Sequence, residues 1–555
     1  MAKETFDVCV IGTGAGGAVM MKELTAAGLS VVALERGPQL STAQFSDDEL
    51  SMMWRDELFS PDQLETWRIR EGAPTETGRF NATAHCVGGT MTHWAAWSWR
   101  FRPDEFKVLS HDGPVAGASL ADWPIDYDEL EPYYEKAEWE FGVSGEANAN
   151  PFEGARKKGY PNPAHPPKVS SESVKKGAEA LGYTAFPTPM AINSRAYEGR
   201  PPCMYGGACQ QFGCPIHAKA TPFSVLIPKA LGTGKLDLRP DAMVFDIPVG
   251  ADGRVQGARY LDSAGNAHEV RARQVVVAGG AIGSPHLLRL ATSGKFPHGL
   301  ANGSGQVGRH LTFHIHNLVH YLLDEPAMSW TGLESHLAID DLHASDPKRG
   351  FIRGGVIGEI NFGNKLPIVH SLMGTGFPGL ERQWGGGFKD YLRTFPRVVG
   401  MASILEDLPV ETNTIDLDTE VKDRHGLAVP RITHRQHEND LAMLAWYGPK
   451  LREIAEAAGG KEIWEPLVPN LTGLDEETPM KGSGAHFHGT CRMGDDPGAS
   501  VVDRWCRSHE VSNLWVVDGS VFPTSGGYNP TLTILANAYR VADHFVAEAK
   551  KQNLS

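Results

Sequence analysis

Asp7-Val8-Cys9-Val10-Ile11, followed at once by Gly12-Thr13-Gly14-Ala15-Gly16-Gly17 and then by Val31-Val32-Ala33-Leu34-Glu35, is the stretch on which the reading of the whole chain turns. The opening residues are a short β-branched run of the kind that a parallel sheet buries on both faces. The glycines after it match G-x-G-x-x-G. The first permits the tight turn, the second lets backbone approach a pyrophosphate, and the third lets helix pack on strand. Helix-compatible sequence runs through Leu24 to a stop at Gly28, and its N-terminus offers N–H groups to phosphate. The second apolar run ends on Glu35, where a carboxylate can accept both ribose hydroxyls of an adenosine. This order of strand, glycine turn, helix, strand and acid predicts a Rossmann-like, nucleotide-binding α/β unit.

Working outward, the 555 residues exceed what one compact core holds, so two domains sharing a large interface are expected. A formal charge of −15 disfavours nonspecific attraction to nucleic acid or to an anionic membrane surface. No run approaches the ~20 apolar residues that span a bilayer. The first strand starts by Asp7, which leaves no secretory signal. The expectation is a chain with no membrane span and no export signal of its own. It would be cytoplasmic, or periplasmic if a partner subunit bearing a signal carries it. Seven cysteines do not suggest a disulfide framework, but three of them crowd together as Cys203, Cys209 and Cys214.

Residues 38–80 read as a polar, helix-prone excursion. Cys86-Val87-Gly88-Gly89-Thr90-Met91-Thr92-His93-Trp94-Ala95-Ala96 then sets small residues before aromatics, which suits close passage of backbone past a flat ring. Residues 102–142 look helical, with a helix start near Asp126, and 148–170 read as a proline-rich loop. Leu236 to Val249, Gly257 to Leu261 and His268 to Ala272 read as strands joined by turns. Val275 to Ala278 is a buried strand that meets a second glycine turn, Gly279 to Pro285, and a helix from His286 to Leu290. His314 and His316 sit two apart on a strand-like stretch; with no third ligand nearby, a strand face is favoured over a metal site.

Two motifs close the chain: Ala485-His486-Phe487-His488-Gly489-Thr490-Cys491-Arg492-Met493-Gly494, and Gly527-Tyr528-Asn529-Pro530-Thr531-Leu532-Thr533 before a terminal helix. Between them Asn513 to Gly519 reads as a buried strand delivering Asp518 to a turn. Together with Gly280-Ala281-Ile282-Gly283-Ser284-Pro285 and Val307-Gly308-Arg309, these residues resemble the glucose-methanol-choline (GMC) oxidoreductases. Gly88-Gly89-Thr90 with His93-Trp94-Ala95-Ala96, Asn193-Ser194-Arg195 and Gly199-Arg200-Pro201-Pro202-Cys203 resemble most the large flavoprotein subunits of bacterial fructose, glucose and gluconate dehydrogenases, and next the pyranose oxidases.

The resemblance implies a Rossmann-like FAD-binding domain built from residues 1–110, 200–315 and 481–555, with a discontinuous α+β substrate-binding domain from 111–199 and 316–480. It implies FAD, held noncovalently, on Gly12, Gly14, Ala15, Gly17, Glu35, Arg36, Gly88, Gly89, His93, Trp94, Ala95, Val244, Gly280, Asp518, Gly519, Asn529 and Thr531. Glu35-Arg36-Gly37-Pro38 is more typical of FAD than of a nicotinamide nucleotide. His486 would take the hydroxyl proton of a secondary or anomeric alcohol of a sugar, sugar acid or glycoside; an imidazole with pKa near ~6.5 suits that task. Asn529 would donate to the same oxygen. In the sugar dehydrogenases such a cysteine loop holds a 3Fe-4S cluster that relays electrons to a cytochrome. Here Cys209 and Cys214 are separated by four residues where those enzymes have three. The alternatives are a pyranose-oxidase-like enzyme that reduces oxygen to peroxide, against which Ala95 argues, and a noncatalytic flavoprotein of electron transfer or assembly.

Overall fold

The computed structural model describes residues 5–54, 63–80, 82–360, 370–371, 374–466 and 486–551. Parts of the expected domains, 361–369 and 467–485 among them, lie outside the described residues, as does Ala485 of the His486 motif.

The apolar runs at the start of the chain form the centre of a seven-stranded sheet. Thr5–Ile11 lies between Val31–Leu34 and Ala267–Val277, parallel to both, and Leu236–Arg239 extends the parallel side beyond Val31–Leu34. All four residues of Val31–Leu34 are buried, as a strand covered on both faces requires. Ala267–Val277 serves two neighbours. Its first half pairs antiparallel with Gly257–Leu261, and Val275–Val277 pairs parallel with Leu514–Val516. The stretches read separately as His268–Ala272 and Val275–Ala278 are therefore one continuous strand.

Leu236 to Val249 is the opposite case. It is cut into Leu236–Arg239 and Met243–Asp246, which take opposite edges of the sheet. Pro240 cannot donate to a ladder, and Asp241 turns the chain with a left-handed φ of 51°. The expected helical excursion of 38–80 holds two strands, Glu65–Arg68 and Glu76–Gly78, which join Thr414–Lys422 and Ala428–Thr433 in a four-stranded sheet. Pairing with a segment more than three hundred residues away supplies what local propensity did not.

Three helices position the site. Ala15–Ala26 packs against Pro222–Gly232 and against the terminal helix Thr531–Lys550. The helix after the second glycine turn runs Gly280–Leu290, starting earlier than the sequence indicates. Pro285 inside it has no N–H for the Ala281 carbonyl, and the Thr490 hydroxyl donates to that carbonyl at 2.7 Å. A six-stranded antiparallel sheet, containing Leu318–Leu322, Gly355–Glu359 and Val398–Leu405, stands apart from the seven-stranded one. The Val169–Ala180 and Glu438–Ala457 helices pack with it around its own hydrophobic core.

Candidate active site

A cavity of ≈ 480 Å³ gathers residues from both ends and the middle of the chain. Gly12, Gly14, Ala15, Glu35, Arg36, Gly89, His93, Trp94, Ala95, Val244, Gly280, His486, Asp518, Gly519, Asn529 and Thr531 all line it. Gly17 and Gly88 do not. Gly17 lies beneath the turn, where an added Cβ would sit 2.0 Å from the Gly12 carbonyl oxygen. Gly88, with a φ of 97°, donates its N–H to the Thr13 hydroxyl at 3.0 Å.

One end of the cavity is built for a phosphorylated ligand. The helices Ala15–Ala26 and Gly280–Leu290 both begin on it, neither with a side-chain cap or an acid in its first turn, whereas Thr531–Lys550 begins on the cavity two residues after Asn529, at the other end. The N–H groups and dipoles of the first two starts are suited to a diphosphate. Glu35 accepts from the Thr13 N–H at 3.0 Å, the Thr13 hydroxyl at 2.7 Å and the Gly37 N–H at 3.2 Å. Burial raises its pKa. Two carboxylate oxygens retain acceptor capacity beyond these three bonds, so Glu35 ties the glycine turn to the strand end and still faces the cavity. Asp518 accepts from the Gly280 N–H at 2.9 Å, the Ser284 hydroxyl at 2.5 Å and the Ser520 N–H at 2.8 Å, joining two of the turns. These features fit the diphosphate and ribose of FAD.

Further along, the loop carrying His93, Trp94 and Ala95 is stapled down. The Trp94 indole donates to the Ala220 carbonyl at 2.8 Å. The buried Lys219 ammonium donates to the carbonyls of Trp94 at 2.9 Å, Cys209 at 2.6 Å and Phe212 at 2.8 Å.

At the other end stand His486 and Asn529, with His486 Nε2 3.1 Å from Asn529 Nδ2. The Trp99 indole donates to Asn529 Oδ1 at 3.0 Å. His486 Nδ1 lies 2.9 Å from His314 Nδ1, and His314 Nε2 lies 2.6 Å from the Gly526 carbonyl oxygen. Burial, and after it the neighbouring His314, His316 and His488, hold the His486 pKa well below its ordinary value. The ring is therefore neutral and able to accept a proton. His316 also lines the cavity. Its Nδ1 is 2.9 Å from the Ser403 carbonyl, which leaves Nε2 as an acceptor for a ligand hydroxyl. His488 is fully buried and stacks on Phe522 with an interplanar angle of 8°.

Sequence reasoning missed Trp99, and it left His314 and His316 as a strand face. Residues 311–317 make only isolated bridges, Thr312 to His488 and Ile315 to Leu405. The two-residue spacing was the available signal, since it marks two side chains on one face. The face belongs to the site: His314 contacts His486 and His316 lines the cavity.

The cysteine loop lends the expected cluster no support. Among the described residues, no three His, Cys, Asp or Glu side chains converge in a metal-holding group, and Cys203, Cys209 and Cys214 are no exception. Cys209 is buried in the main hydrophobic core, whereas Cys214 is partly exposed. Phe212, inside the four-residue interval between them, is buried with Phe45 and Met52. That interval is committed to packing, while burial first, and then the neighbouring Cys209 and Cys214 thiols, raise the Cys203 pKa.

Models of the GMC oxidoreductases match residues 87–316 and 409–538. The chain is 32% identical to a 2-methyl-1,2-propanediol dehydrogenase of Mycolicibacterium austroafricanum, over 97% of this chain and 94% of that protein. It is 33% identical to a paromamine 6'-oxidase of Streptomyces fradiae, over 97% and 90%. It is 30% identical to the fructose dehydrogenase large subunit of Gluconobacter japonicus, over 99% and 100%. Its fold matches that of a formate oxidase from Aspergillus oryzae with a TM-score of 0.68 at 15% identity, covering 100% of both chains.

Proposed function

The chain belongs to the GMC oxidoreductases, FAD-dependent enzymes acting on CH–OH groups, and from that premise we propose that it is a dehydrogenase of a sugar, sugar acid or glycoside. It would oxidise a secondary or anomeric hydroxyl and pass the electrons to an acceptor other than oxygen. The observation that carries this reading is the 3.1 Å pairing of His486 Nε2 with Asn529 Nδ2 in the cavity that the glycine turns also line.

FAD, when bound, would supply the hydride acceptor. This chain supplies the rest. The Gly12 turn, Glu35 and the starts of the Ala15–Ala26 and Gly280–Leu290 helices would hold the diphosphate and ribose, and Asp518 fixes two of those turns against each other. A substrate hydroxyl would displace the 3.1 Å contact between His486 Nε2 and the Asn529 amide, giving its proton to Nε2 and accepting from that amide. The oxygen is thereby held while charge develops on it. His316 Nε2 can accept from a second hydroxyl, which supports a polyhydroxylated substrate.

Two features of the relatives bear on the acceptor. One is named a large subunit, which supports a small partner subunit, and export in company with it, as part of the proposal. One is named an oxidase, which supports the rival reading in which oxygen takes the electrons. No helix of the described residues is long and apolar enough to cross a membrane.

The test is anaerobic bleaching of the bound flavin by a panel of sugars, sugar acids and glycosides, followed by reoxidation with oxygen and with a soluble acceptor. Bleaching by none of the panel would defeat the sugar assignment. Rapid reoxidation by oxygen with stoichiometric peroxide would favour the oxidase reading.

A further inference from the structure

His486 does not stand alone. Its hydrogen-bonded neighbours form a chain whose two ends leave no freedom in the direction of the bonds. At one end a backbone carbonyl, that of Gly526, lies 2.6 Å from His314 Nε2, with the Ser525 carbonyl at 3.3 Å. Carbonyls only accept, so Nε2 of His314 carries the hydrogen. A neutral imidazole has one N–H, and burial first, then His316, pushes the His314 pKa down to about 3. Nδ1 of His314 is therefore a bare acceptor. The 2.9 Å contact between the two Nδ1 atoms then requires His486 to donate from Nδ1, which leaves His486 Nε2 bare.

The other end gives the same answer independently. An indole N–H only donates, so the 3.0 Å bond from Trp99 Nε1 identifies the Asn529 atom it meets as the carbonyl oxygen. The amide nitrogen must then face His486 Nε2 at 3.1 Å, and it can donate only to a bare nitrogen. Hydrogen positions are thus assigned from the network, and both anchors assign them alike.

We propose that His314 is a positioning residue that locks His486 in the tautomer with hydrogen on Nδ1, keeping Nε2 turned to the cavity as the proton acceptor. The proposal rests on the reading of His486 as the base. In the step it serves, the substrate O–H bond breaks, the electron pair stays on oxygen and the proton goes to His486 Nε2. The imidazolium formed keeps its Nδ1–H donated to His314. Since the Gly526 carbonyl cannot take a proton onward, the chain orients and does not conduct. The proton leaves by the way it came, through Nε2, once product has departed.

The experiment combines two variants with a spectroscopic reading. His314→Phe keeps a ring and removes both nitrogens. His314→Asn puts an amide oxygen near the position of Nδ1. With FAD bound, His314→Phe should slow flavin reduction about 10²-fold, as loss of an oriented base does, with substrate affinity little changed. His314→Asn should recover most of that loss. Nitrogen-15 histidine spectra of the oxidised holoenzyme, with His486→Ala used to assign the signal, should show hydrogen on Nδ1 of His486. In His314→Phe the hydrogen should move in part to Nε2.

Hydrogen on Nε2 of His486 in the unaltered enzyme would overturn the proposal, as would full-rate reduction by His314→Phe. Should His314→Phe fail to retain FAD, the spectrum of the unaltered holoenzyme decides alone. Failure of the underlying reading looks different: His486→Ala would then reduce its flavin at the normal rate, whatever tautomer the spectra show.

Discussion

At His486, alanine removes a proton acceptor without touching the glycine turns, so flavin reduction should fall by ~10²–10⁴-fold while FAD stays bound. Stopped-flow reduction beside flavin content per chain measures both. Asn529→Ala should cost less, because it removes one oriented donor and leaves the base in place. The pH dependence is more diagnostic. An ordinary imidazole base would lose activity on acidification through about pH 6.5. Burial and the neighbouring histidines hold the His486 pKa well below that value, so the rate should stay level through pH ~6.5 and fall only in more acidic buffer. A midpoint at or above ~6.5 would show that the base sits in wetter surroundings. His486 and Asn529 could be named from sequence because each lies in a recognisable local motif. Trp99 and His314 could not, because what they do depends on contacts across 430 and 172 positions of chain.

Elements carry the cofactor site, and their glycines show how tightly. A Cβ at Gly16 would lie 1.8 Å from the Val517 carbonyl oxygen, in backbone that cannot yield without moving the Asp518 turn. Gly16→Ala should therefore destabilise by about 1–3 kcal/mol, as overpacking does, and lower the FAD content. Gly232→Ala is the control. It ends a helix with nothing within 4 Å of an added Cβ, and should be neutral or stabilising by up to about 1 kcal/mol. Thermal melts and flavin absorbance of the two variants check the contrast. A Gly16→Ala protein with full FAD and unchanged melting would mean that the turn is not packed against Val517. The same locality explains what was legible among the elements. The first strand, its glycine turn and its helix are specified by adjacent residues, and they stand where the sequence puts them. Glu65–Arg68 is a strand because Ala428–Thr433 lies beside it, and the break at Pro240 matters because its two halves find different edges. No window of local sequence contains either fact.

Across the whole molecule, a buried ionic network runs behind the site and ties distant segments together. Arg353, fully buried, contacts Glu406 at 3.0 Å, Asp104 at 3.0 Å and Glu105 at 2.6 Å. His343 lies between Glu105 at 2.6 Å and Asp340 at 2.9 Å, and Asp340 accepts from the Tyr528 hydroxyl at 2.5 Å, one residue before Asn529. Removing one partner strands the others as buried charges, so Arg353→Met should cost about 3–5 kcal/mol and disturb the placement of Asn529 as well. The pH dependence has a definite sign. Burial works against a charged His343, but Asp340 and Glu105 outweigh it and raise its pKa to about 9. The unfolded chain loses that proton near ~6.5. The contribution of His343 is thus complete below pH ~6.5 and is lost as pH rises through about 9, because the folded state holds the proton that the unfolded state has released. Glu406, which burial and then Glu105 raise to about 8, adds a loss of its own that begins above pH ~4.5. Burial would likewise raise Glu105, yet Arg353 and His343 hold it well below the usual carboxylate range. Its contribution is lost only as pH falls below ~4.5. Melting temperature should therefore decline between pH ~6.5 and ~9 in the unaltered protein. The decline should flatten in His343→Gln, whose stability is lower throughout but which has no proton to lose. An equal alkaline decline in both proteins would place the responsible titration elsewhere and leave His343 neutral between its two carboxylates.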